Sequence, residues 1–238
     1  MARAPARIRR ILMVLLQSAI RNRLLTALEP EAFSRLAPAL EPVPLALHAV
    51  LIAPQEPITQ AYFVEEGIVS LVADTREGRI EIGLTGREGF VGVPLVLGAE
   101  TTPHTAIVQA GGEALRISAD ALHEALDASA DLRRVLGRYV QSLIVQVGQT
   151  VYANADLTVE ARLARWILMT HDRLDQDELP LTHEVLSKML GVRRPTVTMA
   201  THTLEGAGMI RARRGRITVV DRVKLEGLAG AIYGAAGV

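Results

Sequence analysis

Two adjacent arginines, Arg193 and Arg194, stand between Gly191-Val192 and Pro195, and four more, Arg211, Arg213, Arg214 and Arg216, follow shortly after. Guanidinium groups at that density suit a polyanion. One arginine can donate two parallel bonds to O6 and N7 of a guanine, a pair worth about 1–3 kcal/mol of discrimination. Threonine hydroxyls such as those of Thr196 and Thr198 can bond phosphates or base edges, and the methyl groups of Thr and Met199 can touch a thymine methyl. The charge is local. Leu179 to Lys224 holds nine Lys and Arg against three Asp and Glu, a surplus of six, while the whole chain nets zero. A basic excess on a neutral chain is an electrostatic footprint for nucleic acid.

The elements that must hold these groups are legible in LTHEVLSKMLGVRRPTVTMATHTLEGAGMIRARRGRITVVD, Leu181 to Asp221. Thr182 is a good N-cap, because its hydroxyl can accept from an orphan amide of the first turn. Val185, Leu186, Met189 and Leu190 then share one helical face. Gly191 sits where the chain must turn with positive φ. Arg193 is a poor cap, whereas Pro195 suits a first helical turn, where its missing N–H would be unpaired anyway. Val197, Ala200, Thr201 and Leu204 form the inward face of a second helix, and Arg194, Thr196, Thr198 and Met199 point outward near its start. Gly206 and Gly208 end it. Met209 to Ala212 and Arg216 to Val220 read as a hairpin around Arg214-Gly215. Helix, turn, helix and basic hairpin in this order make a winged helix-turn-helix, whose second helix enters a major groove by its N-terminal half. The expected base readers are Arg193, Arg194, Pro195, Thr198 and Met199. The expected phosphate and wing contacts are Thr182, Thr196, Thr201, His202, Arg211, Arg213, Arg214 and Arg216.

Upstream, Arg21 to Leu40 reads as helical until Pro42 and Pro44. Leu45 to Ile117 gives short alternating runs broken by Gly, Pro and Asp, the signal of an antiparallel roll or jelly roll. Ser118 can cap a short helix to Leu126. A long helix is predicted over about Asp131 to Tyr152, with Leu132, Leu136, Tyr139, Leu143, Gln146 and Thr150 as an a/d seam and Val140, Ile144, Val147 and Val151 as a second row beside it. One stripe would pack on its own domain and the other on a twin helix. The first row is assigned to the dimer, with Gln146 fixing register. Asn154 to Asp156 reads as a hinge, Leu157 to Arg173 as the next helix, and Asp172 to Pro180 as an acidic loop. The fold class is α+β, with four parts: a basic segment over 1–23, a sensor roll over 24–130, a dimerisation helix and hinge over 131–155, and a winged helix-turn-helix domain over 156–238.

This arrangement resembles the Crp/Fnr superfamily of bacterial transcription regulators. AYFVEEGIVSLVADTREGRIEIGLTGREGFVG is similar to the family's cyclic-nucleotide-binding-like β-roll, VQAGGEALRISADALHEAL to its end and the helix after it, and LTVEARLARWIL to the start of its DNA-binding domain. The resemblance places Arg193, Arg194 and Pro195 at base-contacting positions with Met199 one turn on, and Arg194 at the family's base-reading arginine. Pro195 stands where the best-known members carry glutamate, and Met199 where they carry a second arginine, so the operator should differ from theirs. Thr182 and Thr196 match phosphate-contacting positions. The family's ribose- and phosphate-holding pairs read Gly92-Val93 and His104-Thr105 here, and the positions that meet the base fall near Val145 and Gln146. Val93 cannot accept a hydrogen bond, and the imidazole of His104 cannot fork onto a phosphate. These departures argue against cyclic AMP.

Composition narrows the rest. The chain of 238 residues is 49% hydrophobic with three Phe, four Tyr and one Trp, so a core must come from Leu, Val, Ile and Ala. No cysteine is present, which fits a reducing cytoplasm and removes thiolate catalysis and cysteine-held iron–sulfur clusters. His48, His104, His123, His171, His183 and His202 show no metal-ligand spacing, so neither a metal nor a cofactor is expected. The N-terminal run Ile11 to Leu16 is too short to span a bilayer, and no stable membrane association is expected. Gly86 to Gly89 and Glu65-Glu66 offer carboxylates without a catalytic order, and the chain does not read as an enzyme. The expected partners are double-stranded DNA, a second copy of the chain, an unidentified small-molecule effector, and RNA polymerase if the protein activates. The alternative is a small-molecule-binding or protein-docking module with little DNA specificity.

Overall fold

The structure, a computed structural model, describes residues 15–75 and 78–233. The basic start of the N-terminal segment, residues 1–14, lies outside the described residues. Its remainder joins the roll. A 3-10 turn covers Gln17–Ala19, Ile20 is buried in the roll core, and Asn22 is fully buried as the N-cap of α1 (Arg23–Thr26). The predicted single helix over 21–40 is broken. After α1 come α2 (Pro30–Leu36), with Pro30 in its first turn, and a 3-10 turn over Ala37–Ala39. Each short helix still buries apolar residues, Leu24 and Leu25 in α1 and Phe33 and Leu36 in α2.

The roll is built from β1 (Glu41–Leu45), β2 (Val50–Ile52), β3 (Gln60–Thr75), β4 (Gly78–Thr85), β5 (Phe90–Val91) and β6 (Thr105–Ser118). The path β1-β6-β3-β4 is antiparallel throughout, β2 adds to β6, and β5 adds to β3. Glycines that read as strand breaks lie inside strands. Gly67 interrupts β3 at φ 93°, and a Cβ there would meet Ala110 O at 2.5 Å. Gly112 faces it from β6, where a Cβ would meet Glu66 O at 2.1 Å. Register slips between Val64 and Glu66, Glu66 and Ile68, and Ile68 and Val69 mark this crossing. Bulges of that kind bend and twist a ladder, so two long strands curl into a roll where the sequence suggested several short ones.

Between β5 and β6 lies α3 (Val93–Val96). Ser118 caps α4 (Ala119–Ala128) by accepting from Ala121 N. Ser129 then caps α5, which runs unbroken from Ala130 to Asp156. The predicted hinge at Asn154 to Asp156 is therefore helical. No Gly or Pro interrupts it, and Tyr152 Oη donates to Asp156 Oδ2 at 2.8 Å one turn on. The break falls at Leu157 and Thr158, where Thr158 caps α6 (Val159–His171) by accepting from Ala161 N.

The C-terminal half adds β7 (Glu178–Leu179), α7 (His183–Leu190), α8 (Arg194–Gly206), β8 (Ile210–Arg213), β9 (Arg216–Val219) and α9 (Arg222–Ala229). Its sheet runs β7-β9-β8. The acidic stretch 172–180 thus ends in a strand, and its carboxylates are used as ties. Asp172 pairs with Arg222, Asp175 with Arg87 and Arg21, Asp177 with His171, and Glu178 with Arg216.

One apolar cluster holds the roll's core, including Leu132, Val135, Leu136 and Tyr139 of α5. A second crosses the boundary: Ile68, Leu84 and Ala110 of the roll join Trp166, Leu186, Met189, Leu190 and Leu204. Near this seam Gln109 Nε2 donates to Met189 Sδ at 3.3 Å, and Glu81 of β4 is buried (3% exposed) with no partner for Oε1 among the described residues. Burial pushes the Glu81 carboxyl well above the ordinary glutamate range, against smaller opposite effects of Ser70 and Arg173. With its folded-state pKa raised, Glu81 contributes stability in full below the unfolded value and loses it as pH rises through the folded value. Glu81→Gln keeps the shape without the ionisation. Its urea-unfolding free energy should exceed that of the parent by about 1–3 kcal/mol in mildly alkaline buffer, the scale of an unsatisfied buried polar group, and the gain should shrink in mildly acidic buffer. An equal gain at both would show that ionisation is not the cause.

Candidate nucleic-acid interface

The reading face is built by local rules. Thr182 caps α7, its Oγ1 accepting from Val185 N at 3.1 Å, which leaves its own proton for an outside acceptor. Gly191 ends the helix at φ 62°, and Val192 N returns to Ser187 O at 3.1 Å. Arg193 caps α8 without a side-chain acceptor, and Pro195 lies in its first turn, as its type predicts. Val197, Ala200 and Leu204 are buried against the domain core. That leaves Arg193, Arg194, Pro195 and Thr196 exposed at the start of α8, with Met199 70% exposed beyond them. Thr198 is half-buried, its Oγ1 3.1 Å from both Arg194 O and His183 Nδ1.

The hairpin forms as expected, with Gly215 at φ 77° in the Arg214-Gly215 turn and Arg213 opposite Arg216. Ala212 N donates to Glu205 Oε1 at 2.9 Å, which fixes the wing to the last turns of α8. Arg211, Arg213, Arg214 and Arg216 are exposed. Arg216 is paired to Glu178, whereas Arg193, Arg211, Arg213 and Arg214 carry no ion pair among the described residues. His202 is exposed, with Nδ1 4.0 Å from a Glu205 oxygen.

Thr201 departs from the expected phosphate set. It is 2% exposed and its hydroxyl meets no partner among the described residues. Its place on the inward stripe with Val197, Ala200 and Leu204 decides this. Glu184, in the first turn of α7, was not foreseen. One of its oxygens takes Lys188 Nζ at 3.2 Å and the other takes Arg194 Nη2. The Lys188 hydrogen bond and charge, then the Arg194 charge, hold its carboxyl below the ordinary range. Lys188 at i+4 was visible as a helix-surface pair, but Arg194 comes to it only through the turn.

Of the six positions singled out for a ligand, Gly92, Val93, His104 and Thr105 lie on the roll and Val145 and Gln146 on α5. Gly92 caps α3 at φ 127°, packed so that a Cβ would meet Ala61 Cβ at 2.7 Å. Val93 and Val145 are half-buried. His104 Nδ1 lies 3.4 Å from Thr102 Oγ1, and Thr105 is buried with no hydroxyl partner among the described residues. Gln146 is occupied, since its Oε1 accepts from Leu84 N at 2.7 Å. A cavity of about 880 Å³ opens between the roll and the C-terminal half, lined in part by His48, Gln109, Thr182 and Lys188, and none of the six lines it.

The row expected at a dimer contact is largely buried within the single chain. Leu132, Leu136 and Tyr139 are buried in the roll, Leu143 and Gln146 approach Gly83 of β4, and Thr150 is 3% exposed with its hydroxyl on Gln146 O. The row assigned to a partner therefore packs on its own chain. In the other row Val140 is buried and Val147 half-buried, but Ile144 is 59% and Val151 64% exposed. Gly137, Gln141 and Gly148 lie exposed along the same line.

The carboxylates weighed for catalysis are tied by bonds within the chain, and Glu65 and Glu66 line the same cavity. Glu65 accepts from the backbone N–H groups of Arg21 and Asn22, Glu66 pairs with Arg21, and Glu88 pairs with Arg173 at 2.7 Å. Among the described residues no His, Asp and Glu group has metal-ligand geometry, and no helix is long and apolar enough to cross a membrane.

Two domain families match the chain, the cyclic nucleotide-binding domain over residues 42–129 and the Crp-like helix-turn-helix domain over residues 161–228. No curated protein matches it. Among solved structures, FixK2 from Bradyrhizobium japonicum is 17% identical and aligns over 81% of this chain and 98% of that one, with a TM-score of 0.70. A CRP-family transcriptional regulator from Thermus thermophilus is 20% identical over 81% and 99%, with a TM-score of 0.67. CLP of Xanthomonas campestris, described as a c-di-GMP responsive global regulator, is 17% identical over 80% and 99%, also at 0.67. At these identities the likeness is one of fold.

Proposed function

We propose, for a chain that belongs to the Crp/Fnr superfamily of transcription regulators, that two copies bind a two-fold symmetric operator and read it with the start of α8. The observation that carries this is the exposed row Arg193, Arg194, Pro195, Thr196 and Met199 beside a wing whose Arg211, Arg213 and Arg214 are unpaired among the described residues. Arginine at the head of the helix suits base edges, and arginine on the wing suits phosphate. The exposed Ile144 and Val151 line of α5 supports pairing with a second copy. Two-fold pairing would set the half-sites about one helical turn apart, roughly 34 Å.

The signal that controls this binding is a separate matter. The residues present do not fit cyclic AMP, because Val93 offers no acceptor, His104 no fork, and Gln146 is engaged with β4. The effector would be another small molecule or none, acting through a shift between dimer geometries. If the protein activates, RNA polymerase would be its further partner.

Selection from randomised duplexes with purified protein tests the reading. A palindromic site with a steep salt slope is the expected outcome. On that site Arg194→Ala should cost about 1–3 kcal/mol and relax one base position, whereas Arg213→Ala should weaken all sequences alike. Equal losses on every sequence for both changes would remove Arg194 from base reading.

A further inference from the structure

The ion pair between Glu184 and Arg194 joins the two helices of the reading unit beside the exposed start of α8, and Glu184 and Lys188 also line the cavity against the roll. It does little for the fold. Both side chains are more than half exposed, and surface pairs of that kind contribute little stability. A carboxylate is also an unfavourable neighbour for a phosphate backbone, so its presence here weakens contact with any DNA, whatever the sequence.

Those two costs make sense if the carboxylate acts on the arginine. Arg194 opens α8 and no other ion pair holds it among the described residues. A long side chain at a helix start would otherwise sample many rotamers, and ordering it on binding would cost entropy. Glu184 is itself fixed. It sits in the first turn of α7, where the helix favours a negative charge, and Lys188 one turn on holds its other oxygen. Glu184 bonds only Nη2. That nitrogen carries two protons on opposite edges of the guanidinium, so whichever one is given up, a two-proton edge (Nη1 with Nη2, or Nε with Nη2) stays available as a fork for guanine.

We infer that Glu184 is a positioning residue for base discrimination: it holds the Arg194 fork so that one base pair is read more selectively, at the expense of general affinity for DNA. This rests on the reading of the chain as a sequence-specific DNA binder, and the test separates the two.

The operator obtained by selection is compared with a duplex changed only at the base pair that Arg194→Ala relaxes. Affinities are measured at two salt concentrations for the parent, Glu184→Gln, Arg194→Ala and the double variant. Glu184→Gln should bind both duplexes more tightly, yet its ratio between them should fall about threefold to tenfold. In the Arg194→Ala background the same change should leave the ratio where it is, because the fork is gone. Thermal melting of Glu184→Gln should match the parent. A ratio unchanged by Glu184→Gln, with affinity merely raised on both duplexes, would reduce Glu184 to a surface charge and overturn the inference. So would a ratio that drops equally in the Arg194→Ala background. If instead the parent prefers no sequence in the selection, it is the DNA-binding reading that fails.

Discussion

If the proposed dimer forms through this face, Ile144→Asp combined with Val151→Asp should give a folded monomer and lower affinity for a complete operator by about 10²–10⁴-fold, the range over which linked sites gain on single ones. Both side chains are exposed in the single chain, at 59% and 64%, so charging them disturbs no packing within it. In a dimer the same carboxylates would be buried against apolar neighbours without partners, a change that costs several kcal/mol for each ion. Sedimentation gives the oligomeric state, and circular dichroism confirms that the helices persist. Binding to a duplex with a single half-site should hardly change, because each reading helix remains intact. A double variant that still sediments as a dimer would remove this face of α5 from the interface. Leu136→Asp is the instructive contrast. That position is fully buried in the roll, so the substitution should unfold the chain.

Asn22→Ala should destabilise the protein by about 3–5 kcal/mol. Asn22 is fully buried, and all of its side-chain bonding is used. Nδ2 donates to Val64 O at 2.9 Å and Gly89 O at 2.8 Å, while Oδ1 accepts from the backbone N–H groups of Leu24 and Leu25. One residue thus ties the first helix to β3 and to the turn before β5. Losing a cap costs about 0.5–2 kcal/mol, and each carbonyl left dry adds about 1–3 kcal/mol. Urea unfolding measures the loss. Asn22→Asp keeps the two acceptor contacts and removes the two donations, and should also be markedly destabilised. A shift below about 1 kcal/mol for Asn22→Ala would mean that water replaces the amide.

The reading unit was legible because each of its parts follows a local rule. Thr182, Gly191 and Pro195 stand where capping, left-handed backbone and a helix start require those types, and the inward stripe Val197, Ala200 and Leu204 keeps helical period. Thr201 belongs to that stripe, so its expected phosphate contact conflicted with the period from the outset. The roll was legible as a class and not in its strands. Gly67 and Gly112 read as breaks, but they are places where two backbones nearly touch within continuous strands. The two rows on α5 were both visible, yet periodicity carries no label for self and partner. Only the packing of Leu132, Leu136 and Tyr139 on the roll shows which row faces its own chain. Glu184 was missed for a similar reason, since its partner lies beyond a turn and no helical spacing connects them.

The apolar cluster that includes Ile68, Leu84 and Ala110 alongside Leu186, Met189 and Leu190 makes the two halves poor candidates for separation. A fragment excised at the α5–α6 junction would carry an oily wound where β4 had lain, and would be prone to clump. Grafting this reading unit onto another sensor would fare better if the matching strand surface travelled with it.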